Sequence, residues 1–557
     1  MLKLLLLLLI FLGMGFAWLN PNHIFPWLTS HSEFSIFFSL ICLGIYTLII
    51  KKQLIIQKQN LWLLLLAFIP LGQYWLGKIF FLGDAILSCL YVLAFLFAIS
   101  LGNTLCRNIE DKRKIFTLFS YVVIFCCLIS VYIAMLQWLL IHRYGILMAE
   151  LPPGARPFAN FAQPNTLATF LIIGIMSTIY LYENKILSKY VGAILTCLLI
   201  LGITLTQSRT PWVYTLVFLI WWFWKANLIQ LRTKTSGIVC GCVWYILCLT
   251  LLPIFSNWFG VAVIEDAYTR ASSGFARLNM WQQMLVAIKN EPWFGYGWNQ
   301  VSVAQVQNTL EFSHYEWTEH AHNFILDLLV WNGIPVGTLI LIILIWWLVR
   351  FIALSNTKEN FLILSMIGAV LVHAMLEFPL EYAFFLLPVG FLFGLVQSDK
   401  QNANYFSIPL LGFTCIIVIS ISLYGWIWQE YRTIEKDIEL ARFEALNIGT
   451  LHSENKAPNI IILTQLREQI GLMRTQPKAN MSNDEIDGMR KIAYRHASSP
   501  ALYRYSQVLA LNGYKMEAKK HLLILEKLHG KKYNFESLFQ VNKSLAFEWQ
   551  NKSISKP

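Results

Sequence analysis

The chain has 557 residues, of which 57% are hydrophobic, 15% aromatic and only 13% charged. A soluble domain of this size carries about 25% charged residues, so the composition excludes an ordinary soluble globular protein and points to long apolar segments in lipid. The formal net charge of +12 does not indicate nucleic acid, because the Lys and Arg lie in short loops or in the C-terminal region and not on one basic face.

A membrane span needs about 20 apolar residues. That rule predicts an all-α polytopic protein with thirteen transmembrane helices, at 3–19, 34–50, 60–77, 80–101, 115–141, 163–183, 186–206, 210–228, 236–256, 324–350, 360–378, 381–397 and 405–428. The first begins with Lys3 and an unbroken Leu run; no small-residue cleavage site follows Leu19, so it reads as a retained helix. With the N-terminus in the cytoplasm, the cytoplasmic loops hold fifteen Lys and Arg, whereas the short loops opposite hold only Lys78, Arg143, Arg156 and Arg209. This is a positive-inside bias. An odd number of spans then places the C-terminal region outside, in the periplasm of an inner-membrane protein.

Four regions are expected: N-terminal transmembrane helices over 1–256 with outer loops 142–164 and 206–211, a large periplasmic catalytic loop over 257–323, transmembrane helices over 324–428, and a periplasmic helical domain over 429–557. From Glu430 onward the sequence is charged and amphipathic with helical spacing. Within it, residues 501–525 read as two helices hinged at Asn512 and Gly513, resembling one tetratricopeptide-type hairpin. None of the ten cysteines falls in the large loop or the C-terminal domain, and they form neither a disulfide framework nor a CxxC zinc pattern.

Three polar stretches lie on the expected outer face. The loop 151–165, LPPGARPFANFAQPN, holds four prolines, and Pro164 suits the first turn of the next helix. It brings Arg156, Gln163 and Asn165 to the membrane surface, although a capped helix start with an incidental Arg is the plainer reading. The turn 206–211 carries Arg209 against the positive-inside trend, where a charge at membrane depth costs about 2.5–3.5 kcal/mol; snorkelling to headgroups is the competing explanation. The long loop contains Arg277 and Trp281 in a stretch with helical spacing over 276–288, then Pro292, Gly295, Tyr296 and Gly297, and it ends in Glu319, His320, Ala321, His322 and Asn323. His320 and His322 are two residues apart with no third ligand nearby and no HExxH pattern, so they do not read as a metal site. Arg209, Arg277 and Arg156 suit bidentate phosphate binding, and a neutral imidazole suits a general base. His373, Glu377 and Glu381 form a further cluster at the outer end of a helical pair, read as supporting in preference to ion-coupling.

The ordered set of Arg156 with Gln163, Pro164 and Asn165, of Ser208 with Arg209, of Arg277-x3-Trp281 with Pro292, Gly295 and Gly297, and of His320, His322 and Asn323 with Gly333 and Gly337 resembles the O-antigen ligase/polymerase superfamily. Within that superfamily it is most similar to the protein O-oligosaccharyltransferase (PglL-type) branch. The resemblance covers about residues 150–340, and the polar helical C-terminal domain looks like the one attached to that branch. It implies a metal-independent, one-step inverting glycosyl transfer outside the cytoplasm, with no cofactor. The donor would be an oligosaccharide on undecaprenyl diphosphate, and the acceptor a Ser or Thr hydroxyl of an exported protein such as a pilin. By the match, His322 is the base, Arg209, Arg277 and Arg156 bind the diphosphate, Gln163 and Asn165 orient donor or loop, and Glu319, His320 and Asn323 support His322. The alternative acceptor is a glycan or lipid, as for an O-antigen ligase or polymerase. A transporter would require inverted repeats and midplane polar groups, which the sequence lacks, and a scaffold would leave Arg209 and the His pair unexplained.

Overall fold

The computed structural model describes residues 2–141, 145–261, 275–313, 316–399, 404–445 and 457–539. Each predicted apolar run forms a helix: α1 (Leu2–Leu19), α2 (Ser30–Lys51), α3 (Trp62–Trp75), α4 (Leu82–Leu105), α5 (Ile109–Trp138), α6 (Pro164–Glu183), α7 (Lys189–Leu205), α8 (Thr210–Ile229) and α9 (Thr235–Phe259), then α12 (Phe324–Ile352), α13 (Lys358–Ala374), α14 (Ala383–Gln397) and α15 (Leu410–Ala445). Between them, α10 (Phe275–Asn290) and α11 (Val301–Asn308) occupy the large loop. Among the described residues eight helices, α2, α4, α5, α6, α8, α9, α12 and α15, are long and apolar enough to cross a membrane, while α1, α7 and α14 are apolar but shorter. The chain is a multi-pass membrane protein. Helices are the form such apolar segments take because lipid offers no partner for an unpaired backbone N–H or C=O.

Two expectations change. The run 60–77 yields only the 14-residue α3, with Pro70 inside it. The last apolar run does not begin as helix at 405. Tyr405–Pro409 is a strand, β2, paired antiparallel with β1 (Gln53–Gln57), so the chain is not wholly α-helical. Both segments carry β-favouring residues, Ile55 and Ile56 in one and Tyr405, Phe406 and Ile408 in the other, and Pro409 is confined to the strand end, as expected of a residue without an N–H to donate. The expected charge positions Arg143 and Lys400, and part of the loop 257–323, lie outside the described residues.

Lipid gives helices no hydrophobic reason to associate, so small residues and close backbone approach hold them together. α4 and α14 meet in this way. A Cβ at Gly394 would lie 2.2 Å from the Ile99 carbonyl oxygen, and one at Gly102 would lie 2.4 Å from that of Phe391.

α12 is broken at Gly333, whose φ of 71° and ψ of 175° are not helical. The freed backbone groups pair with the loop at 292–297. Tyr296 N–H donates to Val330 O (2.8 Å), Gly297 N–H to Trp331 O (3.0 Å), and Ile334 N–H to Pro292 O (2.7 Å). Gln73 seals the joint, donating to Trp331 O (2.9 Å) and accepting from Trp298 N–H (2.8 Å). Gly295 faces Gly333 so closely that a Cβ on it would stand 2.5 Å from Gly333 N. The glycines of the large loop and of the following helix are therefore two halves of one backbone contact, which fixes the loop against the membrane domain.

Beyond α15 the C-terminal domain continues through α16 (Thr464–Arg474), α17 (Asn483–Arg495), α18 (Ser499–Leu511) and α19 (Lys515–His529). α17 starts in a reciprocal capping box between Ser482 and Glu485. The two expected helices around Asn512 and Gly513 are α18 and α19, packed on one another around Leu502, Leu509, Leu522 and Leu525. The domain docks on the membrane part through polar groups. Arg495 donates to both carboxylate oxygens of Asp84 (2.9 and 3.1 Å) and to Glu319 Oε1 (3.3 Å), and His496 Nδ1 lies 3.1 Å from the same Glu319 oxygen. Ser302 Oγ donates to Tyr494 O and accepts from Trp317 Nε1, both at 2.8 Å.

Gly295→Ala forces a side chain into a positive φ, at roughly 1–3 kcal/mol, and into backbone. We predict that it lowers the thermal midpoint and the activity, whereas Gly237→Ala, which meets nothing within 4 Å, changes neither; paired melting curves decide. Burial alone raises the Glu319 carboxyl, but His496 and Arg495 outweigh it and hold the group at about 2 against an ordinary 4.5. The stabilisation is complete above pH 4.5 and is lost as pH falls through 2. With 38% of the side chain exposed, solvent screening keeps the effect small. A melting series from pH 6 to pH 2 should therefore fall less steeply for Glu319→Gln than for the native chain.

Candidate active site

The helix ends nearest the 275–323 segment surround a cavity of about 940 Å³. Its lower wall is apolar, with Leu63, Leu344, Leu348 and Phe393 from α3, α12 and α14. Its upper wall holds Arg156, Asn165, Arg209, Arg277, His322 and Glu377. Such a volume, greasy at one end and charged at the other, fits an amphiphile with an anionic head.

The polar end is assembled around Glu377, in the turn after α13. Its side chain is 8% exposed and receives three partners. Arg277 Nη2, on α10, donates to Oε1 in an ion pair. Asn165 Nδ2, in the first turn of α6, donates to the same oxygen at 2.9 Å. His322 Nδ1 lies 2.5 Å from Oε2. A buried carboxylate is tolerated only when paired in this manner.

His322 reaches this position through local backbone design. Its φ is +51°, uncommon for a residue with a Cβ and typical of functional sites. The conformation is held from both sides. Trp281 Nε1 on α10 donates to Ala321 O (3.0 Å), and Ala321 N–H donates to Asp327 Oδ1 (2.7 Å). Asn323 caps α12, accepting from Ile325 and Leu326 N–H at 3.0 and 3.2 Å, while its Nδ2 donates to Met375 O (3.2 Å). That last bond ties the His322 loop to the turn carrying Glu377.

The 151–163 loop and the 206–209 turn close the site. Ser208 Oγ donates to Asn165 Oδ1 (2.6 Å), so one amide links the 206–211 turn to Glu377. Arg156 Nη1 donates to Thr206 O and Gln207 O (3.4 and 3.3 Å) and so braces the same turn. Gln207 is itself in a left-handed conformation, φ +50°. Arg209 begins α8 and lines the cavity. Gln163 precedes α6 without capping it and accepts from Thr166 (3.3 Å) and Tyr382 (3.5 Å).

The sequence-expected residues other than Asn323 thus converge on one cavity, with two changes of partner. Glu319 does not hold His322; it turns to Arg495 and His496. His320 does not touch His322 through a hydrogen bond either. Its ring stacks on Phe378 (4.4 Å between centroids, 24°), and His322 meets the same Phe378 edge-on (5.0 Å, 86°). Burial drives the His320 imidazole down to about 4, so it is neutral near pH 7. Glu377, read from the sequence only as a supporting group, is the shared partner of His322, Arg277 and Asn165. Its signal was present: a carboxylate beside a Pro turn at a helix end needs a cation, and Arg277 was already in hand. Arg495, His496 and Asp84 also line the cavity, and nothing in their sequence surroundings marks them.

With Nδ1 turned to the Glu377 carboxylate, the His322 ring nitrogen on the other side is Nε2, which accepts a proton in the tautomer that carries its hydrogen on Nδ1. Arg277 uses one of its five donors on Glu377, and the rest of its fork remains suited to phosphate oxygens.

Residues 192–341 match a family described as O-antigen ligase, residues 157–182 one described as protein glycosylation ligase, and residues 361–542 one described as virulence factor membrane-bound polymerase, C-terminal. The chain is 34% identical over 551 residues to the general O-oligosaccharyltransferase of Acinetobacter baylyi, covering 97% of this chain and 95% of the relative. It is 28% identical over 512 residues to the ComP-specific O-oligosaccharyltransferase of the same organism, covering 89% and 90%. No solved structure matches. On a likeness that runs nearly end to end in both chains, the protein belongs to the O-oligosaccharyltransferase family of membrane glycosyltransferases.

Proposed function

We propose that this enzyme moves a preassembled oligosaccharide en bloc from undecaprenyl diphosphate to a Ser or Thr hydroxyl of an exported, pilin-like protein. The observation that carries the reading is the His322–Glu377–Arg277 cluster at the charged end of an otherwise apolar cavity. The polyprenyl chain lies along the apolar wall and the diphosphate meets Arg209 and Arg277, with Arg156 bracing the turn that presents Arg209. In this reading thirteen helices span the inner membrane, the N-terminus is cytoplasmic, and the tetratricopeptide-like C-terminal domain stands in the periplasm with the large loop.

The step follows from the charges. The acceptor Oγ attacks the anomeric carbon opposite the phosphate, and the bond from that carbon to the phosphate oxygen breaks. The hydroxyl proton passes to His322 Nε2, because a Ser or Thr hydroxyl is a weak nucleophile until a base relieves it. Glu377 fixes the imidazole and stabilises the imidazolium that forms. Negative charge builds on the departing lipid diphosphate, and guanidinium groups already in place stabilise it without reorganising. Displacement in one step inverts the anomeric centre.

The O-antigen ligase match over residues 192–341 supports a second reading, with the same donor chemistry and a glycan or lipid acceptor. Cells lacking the gene distinguish the two. Loss of the glycan mass from exported proteins supports protein transfer, whereas loss of surface lipopolysaccharide with proteins still modified supports ligation.

His322→Ala is expected to insert normally and to abolish that glycan mass shift; full transfer by the variant removes His322 as the base. Arg209→Lys keeps the charge but loses the fork. A charge-assisted hydrogen bond is worth about 1.5–3 kcal/mol, so the turnover rate should fall on the order of tenfold to a hundredfold. An unchanged rate counts against bidentate phosphate binding.

A further inference from the structure

The cavity has a second imidazole held by a carboxylate. His496 follows the last residue of α17, and its Nδ1 lies 3.1 Å from Glu319 Oε1. Its other nitrogen, Nε2, is buried and meets no hydrogen-bond partner among the described residues, while the side chain lines the cavity. A buried polar atom without a partner is costly and calls for a ligand. The arrangement repeats that of His322 on Glu377, where again Nδ1 faces the carboxylate. Glu319 is in turn locked by Arg495, whose guanidinium also grips Asp84. The same short loop therefore supplies the imidazole of one pair, His322, and the carboxylate of the other, Glu319.

The two walls differ in charge. The wall around His322 presents Arg156, Arg209 and Arg277 against Glu377. The wall around His496 presents Asp84, Glu319 and Glu381 against Arg495. A diphosphate is drawn to the first wall and repelled by the second, which leaves the second to the partner without phosphate. We propose that His496, positioned by Glu319 and Arg495, is a substrate-contacting residue that hydrogen-bonds the acceptor polypeptide through Nε2, so that the C-terminal domain completes the active site and is not only a docking module beside it. This rests on the protein-glycosylation reading above.

The probe is the exported protein that carries the glycan in wild-type cells, purified unmodified from cells lacking this gene. It is assayed with full-length enzyme in detergent and extracted lipid-linked donor. His496→Ala should raise the KM for this acceptor about tenfold and leave the KM for the donor within about twofold. His496→Gln, which restores a polar atom at that place, should recover part of the loss. Glu319→Ala should reproduce the acceptor effect, and the double variant should be no worse than either single one, because Glu319 acts through His496. Unchanged KM values overturn the proposal. So does a rise in donor KM alone, which assigns the wall to the glycan, or a lowered thermal midpoint with unaltered KM, which reduces His496 to packing. If wild-type enzyme modifies no exported protein, the protein-glycosylation reading itself fails, which is distinct from a variant indistinguishable from an active wild type.

Discussion

Three segments far apart in sequence meet on the Glu377 carboxylate: Asn165 at the start of α6, Arg277 on α10 and His322 before α12. Leaving such a group buried and unpaired costs about 3–5 kcal/mol, so each partner helps to hold the others in place. The cluster carries one carboxylate against one guanidinium and one imidazole. The carboxylate and the guanidinium balance, so a proton taken up on the imidazole leaves the cluster with one net positive charge beside Glu377. Ser208 and Arg156 extend the same network to the turn that presents Arg209, and through it Arg209, Arg277 and His322 share one frame.

That frame needs rigid support, since a base misplaced by an ångström loses most of its advantage. The support comes from irregular backbone. The break in α12 at Gly333 receives the loop at 292–297 as a paired segment, and His322 itself sits at positive φ between a Trp281 bond and an Asn323 cap. Non-helical backbone within a membrane protein is tolerated where other protein groups satisfy it, and the 292–297 segment does so for the break at Gly333. The C-terminal domain adds a third brace through Arg495 and Glu319.

Much of the membrane fold was legible, because runs of apolar residues can satisfy their backbone only as helices. The polar turns at the helix ends were legible for the converse reason. Arg209, Asn165 and His322 are polar groups at apolar boundaries, where chance residues are costly. What escaped was partnership. Glu319 stands three residues from His322 and invites pairing with it, yet the left-handed turn at His322 sends the two side chains to different neighbours. Arg495 and His496 end an amphipathic helix of ordinary charge, and only tertiary packing brings them to a loop more than 170 residues earlier. The strand at Tyr405–Pro409 was hidden inside an apolar run because hydropathy does not separate a short apolar strand from the start of a helix.

The central claim, that Glu377 is the counter-charge on which the base and the phosphate-facing Arg277 are assembled, is tested most directly by the transfer rate of Glu377→Gln. The substitution keeps the shape and an acceptor oxygen but removes the charge. If the carboxylate orients His322 and stabilises its protonated form, turnover with purified lipid-linked donor and acceptor protein should fall on the order of a hundredfold or more, with the protein still inserted and folded. A folded variant turning over at the wild-type rate would contradict it.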